Sequence, residues 1–296
     1  NAEDMLADAD TAMYRAKADT ACRFAVFNEA MQREALERLR VETDLRRALD
    51  RGEFVLHYQP IVSLEPGEIA ALEALIRWDR PGVGRVGPHV FVPLLEATGL
   101  ILPVGAWVLR EACRQVQIWR EAFPAHAELM ISVNVSARQL EAPAFQAELG
   151  EALNQGGLPP EALKLELTES VLMTRPDLTH RVLEEVKRRG VKLSIDDFGT
   201  GYSSLAYLHQ LPADILKIDK SFIDALKEDG GGHEIVKTIV LLAHGLGKKV
   251  VAEGVETAWQ VQRLLRLGCE YVQGYYFSKP VPPAEVEALL LHGLQP

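Results

Sequence analysis

Acidic residues follow several short apolar runs of the chain and suit chemistry on a bound cation. Glu73, Glu166, Asp196 and Glu253 each stand in or after such a run, and Asp197 follows Asp196 directly. Carboxylates that converge repel one another by roughly several kcal/mol unless cations lie among them. Oxygen ligands suit Mg²⁺ or Mn²⁺, whereas zinc prefers His and Cys. These residues predict a divalent-metal site; the alternative is that each acid is solvated at the surface.

The two adjacent aspartates impose a condition on the local backbone. Side chains alternate between the two faces of a strand, so both can face one site only if the strand has ended by Asp197. Gly199 and Gly201, which follow closely, permit such a turn. The alternative is a turn in which an aspartate side chain caps the neighbouring backbone.

Two further acids lie three positions beyond members of this set. Glu169 follows Glu166 and is expected in a loop, where it can brace a neighbouring loop rather than bind metal. Glu256 stands in the same relation to Glu253, but it could instead favour the N-terminus of the following helix.

Two basic residues lie among these acids. Lys217 belongs to the apolar run 215–218, where burial could lower its pKa and make it a Schiff-base nucleophile. Among carboxylates it should instead stay charged and position a hydroxide or neutralise an oxyanion. Arg77 shares the face of Glu73 if the strand alternation holds. Its guanidinium suits a phosphate or a purine, and the alternative is a surface salt bridge.

A repeating order of strands and helices must position these residues. The β-rich runs lie at 54–62, 69–78, 129–135, 163–167, 191–195, 215–218, 249–252 and 271–272. Only the first two meet without a helix between them, so that pair is predicted to be antiparallel. The pattern predicts an α/β fold, a TIM-like (β/α)8 barrel with an antiparallel irregular first strand. A doubly wound open sheet is the alternative, but no Gly-rich phosphate loop follows the first strand.

Active sites of such barrels lie at the C-terminal ends of the strands. One polar residue from each predicted strand is expected at that mouth. These residues are Gln59, Glu73, Asn134, Glu166, Asp196, Lys217, Glu253 and Gln273.

The composition is that of a globular protein and excludes several classes. The 296 residues are 48% hydrophobic and 25% charged, with a formal net charge of −10. The longest uncharged apolar stretch is about half of the ~20 residues that a membrane span needs, and the excess of acid argues against long nucleic acid as a partner. Cys22, Cys113 and Cys269 form no CxxC pair. The sequence therefore predicts a reduced, cytoplasmic protein without a zinc or disulfide framework.

The N-terminal region has its own organisation. Residues 1–31 offer a helix at 4–17 and a strand at 22–27, which cannot enclose a core, so we expect the remnant of an upstream domain and a linker. Residues 34–49 predict an amphipathic helix that ends at Gly52, either packed or solvated. The barrel is expected to occupy 32–296.

Eight segments, in order, resemble the EAL-domain cyclic-di-GMP phosphodiesterases. The resemblance extends from about residue 34 to the C-terminus. Its segments are YQPI at 58–61, EALIRW at 73–78, SVNVS at 132–136, ELTE at 166–169, DDFGTGYSS at 196–204, KID at 217–219, AEGVE at 252–256 and QGY at 273–275. In addition, ADTAMYRAK at 9–17 is similar to the last helix of a GGDEF domain. This implies a tandem GGDEF-EAL protein whose upstream regulatory domains are missing here.

The resemblance implies a role for each site residue. Metal ligation is implied for Glu73, Asn134, Glu166, Asp196 and Asp197. Catalysis is implied for Glu253 acting through a metal-bound water, Lys217 holding the attacking water, and Asp197 serving the second ion. Contacts with the dinucleotide are implied for Gln59, Leu75, Arg77, Asp219 and Gln273. Support of the loop at the second metal is implied for Glu169, Glu256, Phe198, Gly199, Thr200 and Gly201, in a region that often forms a dimer contact.

The implied activity is hydrolysis of cyclic-di-GMP to linear pGpG in bacterial second-messenger signalling. Two Mg²⁺ or Mn²⁺ ions would activate a water, and Ca²⁺ would inhibit because its longer bonds misplace the nucleophile. The family also implies a homodimer. Two alternatives stay open: a non-catalytic cyclic-di-GMP receptor, and an unrelated barrel aldolase or lyase that uses Lys217.

Overall fold

The computed structural model describes residues 26–201, 205–227 and 231–294, together with Met13 and Phe24. Apart from Met13, the helix predicted at 4–17 lies outside the described residues, as do Cys22 and residues 202–204. The three described residues of the strand predicted at 22–27 lie in no strand. Within the described residues, no helix is both long and apolar enough to cross a lipid bilayer.

The strands agree closely with the β-rich runs of the sequence. They are β1 (Phe54–Ser63), β2 (Ile69–Arg80), β3 (Gly84–Val86), β4 (Met130–Asn134), β5 (Leu163–Thr168), β6 (Lys192–Phe198), β7 (Ile215–Ile218), β8 (Lys249–Ala252) and β9 (Tyr271–Gln273). Only the three-residue β3 was not expected, because so short a run has no readable alternation.

The helices are more numerous than predicted. They are α1 (Glu29–Ala48), α2 (Pro88–Thr98), α3 (Ile101–Ala122), α4 (Ala137–Glu141), α5 (Phe145–Gly156), α6 (Glu169–Thr174), α7 (Pro176–Arg188), α8 (Leu205–Gln210), α9 (Lys220–Asp224), α10 (His233–Gly245), α11 (Ala258–Arg266) and α12 (Pro283–His292). Helix α3 begins at Ile101 and holds Pro103 in its first turn, where a proline costs no hydrogen bond. A capping box formed by Thr257 and Gln260 opens α11.

The chain divides into two compact units. The first comprises residues 1–54 and 78–100 and contains α1, β3 and α2. Arg80 binds α1 through Glu37 and Asp44, with an Nη2–Oδ2 distance of 2.9 Å to Asp44. The Trp78 indole donates a hydrogen bond of 3.0 Å to Glu53. The amphipathic helix predicted at 34–49 is therefore present and packed rather than solvated, and it begins earlier than expected, at the Asn28 cap.

The second unit, residues 55–77 and 101–296, carries a closed barrel of eight strands. Their order is β1-β9-β8-β7-β6-β5-β4-β2, and β2 pairs with β1. The successive pairs from β2 and β4 through to β8 and β9 are parallel, whereas β1 is antiparallel to β9. These pairings confirm the TIM-like (β/α)8 barrel with an antiparallel first strand.

An apolar layer inside the barrel supports the polar residues of the mouth. Ile61, Ala71, Ile215 and Val251 form a buried cluster, against which Met130 and Tyr271 pack. Because side chains on one strand face recur every second residue, the next inward positions on β2, β7 and β8 are Glu73, Lys217 and Glu253. The same alternation that fills the core therefore delivers charged groups to the C-terminal ends of the strands.

The two described cysteines are buried, and we expect them to resist thiol reagents. Burial raises the pKa of Cys113 and of Cys269 to about 12. At about pH 8 the thiolate fraction is then roughly a thousandfold below that of an ordinary thiol. In a Cys22→Ser variant, labelling by a chromogenic disulfide should be at least about 100-fold slower in the native protein than in guanidinium. Rapid labelling of either cysteine in the native variant would contradict this burial.

Candidate active site

Lys217 lies at the centre of the barrel mouth, in contact with four carboxylates. Its Nζ is 2.6 Å from Glu166, 2.5 Å from Glu253, 3.2 Å from Asp196 and 3.5 Å from Glu73. The lysine is 1% exposed, so these charges interact in a medium of low dielectric constant. The structure thus brings together residues from five different strands or strand ends, as the sequence predicted.

Amide side chains connect Glu73 to its neighbours. Asn134 Nδ2 donates to one carboxylate oxygen of Glu73 at 2.7 Å, and Gln273 Nε2 donates to the other at 2.6 Å. Gln273 Nε2 also lies 3.0 Å from Gln59 Oε1, and Gln59 donates to the Ser278 carbonyl at 3.1 Å. Four of the eight residues expected at the mouth thus form one hydrogen-bonded chain across β1, β9, β2 and β4.

The environment drives the pKa values of the acids apart. Burial opposes the ionisation of Glu73, but the Lys217 ammonium and the two amide donors outweigh it and hold its pKa below the usual value. Burial raises the pKa of Glu166 to about 7 despite Lys217, and it raises the pKa of Glu253 well above the ordinary range. Burial alone would lower the pKa of Lys217, but the charges of Glu166 and Glu253 hold it well above normal. The lysine is therefore a cation.

The two adjacent aspartates reach the site by a bulge rather than by the end of the strand. Strand β6 continues to Phe198, and its register with β7 shifts between Ile195 and Phe198. Asp197 has a φ of 54°, in the left-handed region that aspartate tolerates better than most residues. The expectation that the strand ends by Asp197 was wrong, because a bulge re-aims a side chain without ending the pairing.

The mouth fits a hard divalent cation. One carboxylate oxygen from each of Asp196, Asp197 and Glu253 lies within 4.8 Å of the others. Burial and the charge of Asp196 raise the pKa of Asp197, which a nearby cation would reverse. Glu166 Oε1 is buried and has no hydrogen-bond partner among the described residues. An all-oxygen donor set with an unpaired buried carboxylate oxygen suits Mg²⁺ or Mn²⁺.

The loop after β6 is held by Glu169, which begins α6 and is buried. Its Oε2 accepts a hydrogen bond of 3.1 Å from the Gly199 amide. Thr200 Oγ1 donates to the Asp197 carbonyl at 2.8 Å. A Cβ on Gly201 would lie 2.7 Å from Glu169 Oε1, so this close approach needs glycine. Phe198 is buried at the end of the strand, and the rest of the loop, 202–204, lies outside the described residues.

We expect Glu169→Ala to weaken the response to metal more than the fold. The change leaves the Gly199 amide without its acceptor, which costs about 1–3 kcal/mol, and it loosens the segment that presents Asp197. The Mn²⁺ concentration for half-maximal turnover should rise roughly 10- to 100-fold, as for other residues that orient metal ligands. Ser170→Ala, at the exposed neighbouring position, is the control. An unchanged Mn²⁺ dependence would rule out this role for Glu169.

A cavity of about 280 Å³ opens above the charged cluster. Leu75 lines it together with Glu256, and Gln59, Glu73, Asp196, Glu253 and Gln273 reach it from the site below. Arg77 is half-buried and donates to the Ile76 carbonyl at 2.9 Å, and it does not belong to this lining. Asp219 caps α9 by accepting a hydrogen bond of 3.0 Å from the Ser221 amide.

Three residues near the site were missed by sequence reasoning. Lys220 pairs with Glu256 at 2.5 Å and lines the cavity. Tyr275 is exposed at its rim; it was quoted as part of a motif but given no role. Lys164 is buried two positions before Glu166 on β5, and burial lowers its pKa. Only the alternation of side chains along the strand could have predicted that Lys164 faces the interior. The positive charge of Lys164 argued against its burial.

A closed parallel barrel with acidic and amide groups around one buried lysine defines a TIM-like protein with a polar site at its C-terminal mouth. A comparison with models of known protein families agrees with this architecture. A family model described as the EAL domain matches residues 42–280, which is most of the chain. The chain belongs to the EAL-domain family.

Some of its relatives are described as cyclic-di-GMP proteins. It is 44% identical over 285 residues, 96% of this chain and 41% of the relative, to the bifunctional diguanylate cyclase/cyclic di-GMP phosphodiesterase MucR of Pseudomonas aeruginosa. It is also 44% identical over 288 residues, 97% of this chain and 36% of the relative, to the cyclic di-GMP phosphodiesterase NbdA of the same organism. The chain thus spans less than half of these curated relatives.

A solved structure supports the same family assignment. The structure described as the PaMucR phosphodiesterase in complex with c-di-GMP superposes with a TM-score of 0.79 at 45% sequence identity. The match covers 83% of this chain and 99% of that chain. The similarity therefore extends over most of this chain and is not limited to the short motifs.

Proposed function

We propose that the barrel hydrolyses cyclic-di-GMP to pGpG in bacterial second-messenger signalling. The observation that carries the proposal is the convergence of Glu73, Glu166, Asp196 and Glu253 on Lys217 at one mouth. Such a cluster suits phosphodiester chemistry assisted by two divalent cations. The names of the similar MucR and NbdA proteins support the choice of substrate.

The cation ligands in this proposal are Glu73, Asn134, Glu166, Asp196 and Asp197. Bound Mg²⁺ or Mn²⁺ would supply Lewis acidity toward the phosphate and a lowered pKa for the attacking water. Among the proposed ligands, Asp196 and Asp197 both lie within the bulge of β6, and a carboxylate oxygen of each lies within 4.8 Å of the other, so that they could serve two ions. The amide donors on Glu73 fix the orientation of its carboxylate.

The proton of the attacking water passes to Glu253 in this proposal. Burial raises the pKa of Glu253 in the metal-free protein, and a bound cation would lower that pKa again, so that the ionised carboxylate can accept a proton near neutral pH. Lys217 Nζ, 2.5 Å from Glu253 Oε1, holds the water and offsets negative charge at the phosphate. A P–O bond forms to the water oxygen as the P–O3′ bond breaks, and the O3′ leaving group takes up a proton.

The cavity offers the groups that would hold the dinucleotide. Gln59, Leu75 and Gln273 border it and are proposed to contact the substrate. Arg77 and Asp219 are also proposed to contact the substrate, although neither lines the cavity in this structure.

The Schiff-base alternative conflicts with the charge of Lys217. A lysine nucleophile needs a lowered pKa, whereas the surrounding carboxylates raise that of Lys217. Treatment with borohydride and a carbonyl substrate should therefore leave Lys217 unmodified.

The decisive test is turnover of cyclic-di-GMP by the purified protein. We expect chromatography to reveal pGpG with Mg²⁺ or Mn²⁺, but not with Ca²⁺, whose longer bonds misplace the nucleophile. An Asp196→Asn variant is the negative control. Tight binding without product under all three metals would contradict the hydrolase and support a receptor. Absence of both binding and turnover would refute the family-based substrate.

Three features of the wider protein are also proposed. The motif at 9–17 supports a GGDEF domain before the barrel, with residues 1–31 as its end and linker and 32–296 as the phosphodiesterase. The family resemblance supports a cytoplasmic homodimer that forms near the loop after β6. Light scattering of the purified chain tests the dimer, and a monomer at working concentration would contradict it.

A further inference from the structure

A buried lysine lies inside the barrel, below the charged cluster of the mouth. Lys164 is 2% exposed and stands two positions before Glu166 on β5. Glu166 contacts Lys217 in the mouth, and side chains on one face of a strand recur every second residue. Lys164 therefore shares the inward face of Glu166, one step deeper in the barrel.

Three other strands carry apolar side chains at this depth. On β2, β7 and β8 the position two residues before the charged group holds Ala71, Ile215 and Val251, which belong to the buried apolar cluster. Strand β5 contributes an ammonium group to the same layer. Apolar surroundings have a low dielectric constant, so the field of this charge reaches the mouth with little screening.

The side chains beside Lys164 do not neutralise its charge at contact distance. Ser132 on β4 is the register partner both of Glu73 and of Lys164, and Ser194 on β6 is the partner of Glu166. The hydroxyl oxygens of Ser132 and Ser194 are buried and have no hydrogen-bond partner among the described residues. In the same part of the chain, no acceptor or carboxylate binds the Lys164 ammonium group.

The nearest carboxylates above Lys164 are bound to the other lysine. Glu73 and Glu166 contact Lys217 Nζ at 3.5 and 2.6 Å. Burial lowers the pKa of Lys164, and the charges of Glu166 and Glu73 act against that effect. Lys164 thus interacts electrostatically with two proposed cation ligands without contacting either. A positive charge in this place attracts the carboxylates and repels any cation that they bind.

We propose that Lys164 is a positioning residue that acts through Glu73 and Glu166 and weakens the binding of divalent cations at the mouth. This inference rests on the proposed function and adds a residue that regulates its cation site. The acids of the mouth outnumber Lys217, which contacts four of them. A second ammonium group beneath them reduces the negative potential that attracts Mg²⁺ or Mn²⁺.

The test is the affinity of the metal-free protein for Mn²⁺, measured by isothermal titration calorimetry without substrate. Lys164→Met removes the charge and keeps an unbranched side chain, and we expect the Kd for Mn²⁺ to fall roughly 5- to 100-fold. Lys164→Arg keeps the charge and should bind Mn²⁺ as the wild type does. Lys192→Met is the matched control, because Lys192 is the register partner of Lys164 on β6 but is half-exposed and lies 4.0 Å from Asp214. Its Kd should change less than about twofold.

Salt and stability provide two further readouts. Salt screens a buried charge only weakly, so the difference between Lys164→Met and the wild type should persist from about 50 to about 500 mM KCl. A ligand that binds only the folded state stabilises it. At saturating Mn²⁺, each tenfold fall in Kd should therefore add about 1.4 kcal/mol to the gain in free energy of unfolding that Mn²⁺ causes. This gain compares each variant with and without Mn²⁺, so a general change in stability cancels.

The sign of the change separates this role from a structural one. Damage to the packing below Glu166 would loosen the ligands and raise the Kd of Lys164→Met, and a raised or unchanged Kd would overturn the inference. If methionine prevents folding, Lys164→Gln removes the same charge and should also lower the Kd. Wild-type protein that binds no Mn²⁺ would refute the metal-dependent function itself. Wild-type protein that binds Mn²⁺ and hydrolyses cyclic-di-GMP, with neither neutral variant binding more tightly, would overturn only the role of Lys164.

Discussion

The metal-free protein is expected to lose about 3–5 kcal/mol of its free energy of unfolding when Lys217 is replaced by methionine. Methionine has a similar volume but leaves Glu73, Glu166, Asp196 and Glu253 without the ammonium that contacts all four. Buried carboxylates without a countercharge repel one another at low dielectric constant. Urea unfolding in EDTA, followed by circular dichroism, measures the loss. Turnover should fall by at least about a hundredfold, since the group that offsets charge at the phosphate is gone.

Metal and a second lysine provide the controls for this result. Saturating Mn²⁺ should restore stability to Lys217→Met, because a ligand that binds only the folded state stabilises it, by about 2.7 kcal/mol at a hundred times Kd. Lys248→Met removes a buried lysine whose Nζ donates to the Leu211 and Ala213 carbonyls. We expect Lys248→Met to lose less free energy of unfolding than Lys217→Met, and Mn²⁺ should not restore that loss. A Lys217→Met protein as stable as the wild type without metal would disprove the electrostatic role.

The loss in Lys217→Met should also shrink as the pH falls. Burial raises the pKa of Glu166 to about 7 even beside Lys217, above the unfolded value of about 4.3. An acid with a raised folded pKa destabilises the protein above that pKa, and protonation relieves the penalty as the pH falls toward the unfolded value. The raised pKa of Lys217 keeps its contribution present throughout this window. The stability difference should therefore narrow between about pH 8 and about pH 5.

Much of the fold could be predicted from the sequence because buried strands appear there as short apolar runs. Inside a parallel barrel, many strands are apolar runs with a polar residue near the C-terminal end, and 215–218 displays that pattern. The convergence of Glu166, Lys217 and Glu253 followed from topology, since parallel strands end at one edge. Short helices such as α4 and α9 were missed because five residues carry too little periodicity.

The finer geometry of the site depended on tertiary contacts that no local pattern encodes. Asp197 has a left-handed backbone conformation within the bulge between β6 and β7. This bulge depends on how the two strands pair with each other. The pairing of Lys220 with Glu256 joins α9 to the loop after β8, residues distant in sequence. The close packing of Gly274 on the Val255 backbone likewise joins segments that no local pattern connects. Sequence reasoning identified the residue types but could not supply these distances.

Glu253→Gln is expected to lower kcat by about 10³-fold or more while the fold stays intact. Glutamine matches the shape of glutamate and can still accept the hydrogen bond from Lys217, but it cannot take the proton of the attacking water. Burial raises the pKa of Glu253 well above normal, so an ionised carboxylate is disfavoured there. The neutral amide should therefore leave the metal-free protein as stable as the wild type or slightly more stable. Rates from pGpG formation and urea midpoints in EDTA measure both effects.

Two comparisons make this expectation specific to proton transfer. Glu256→Gln alters the acid three positions later, which is half-exposed and bound to Lys220, and it should reduce kcat less than about tenfold, as expected of a residue that does not move the proton. Binding of cyclic-di-GMP to Ca²⁺-loaded Glu253→Gln should match the wild type, because the amide preserves the site's shape. If Glu253→Gln retained more than about a tenth of wild-type kcat, the proton would have another acceptor. Asp197, whose pKa is raised and which has a carboxylate oxygen within 4.8 Å of Glu253, would then be the residue to replace.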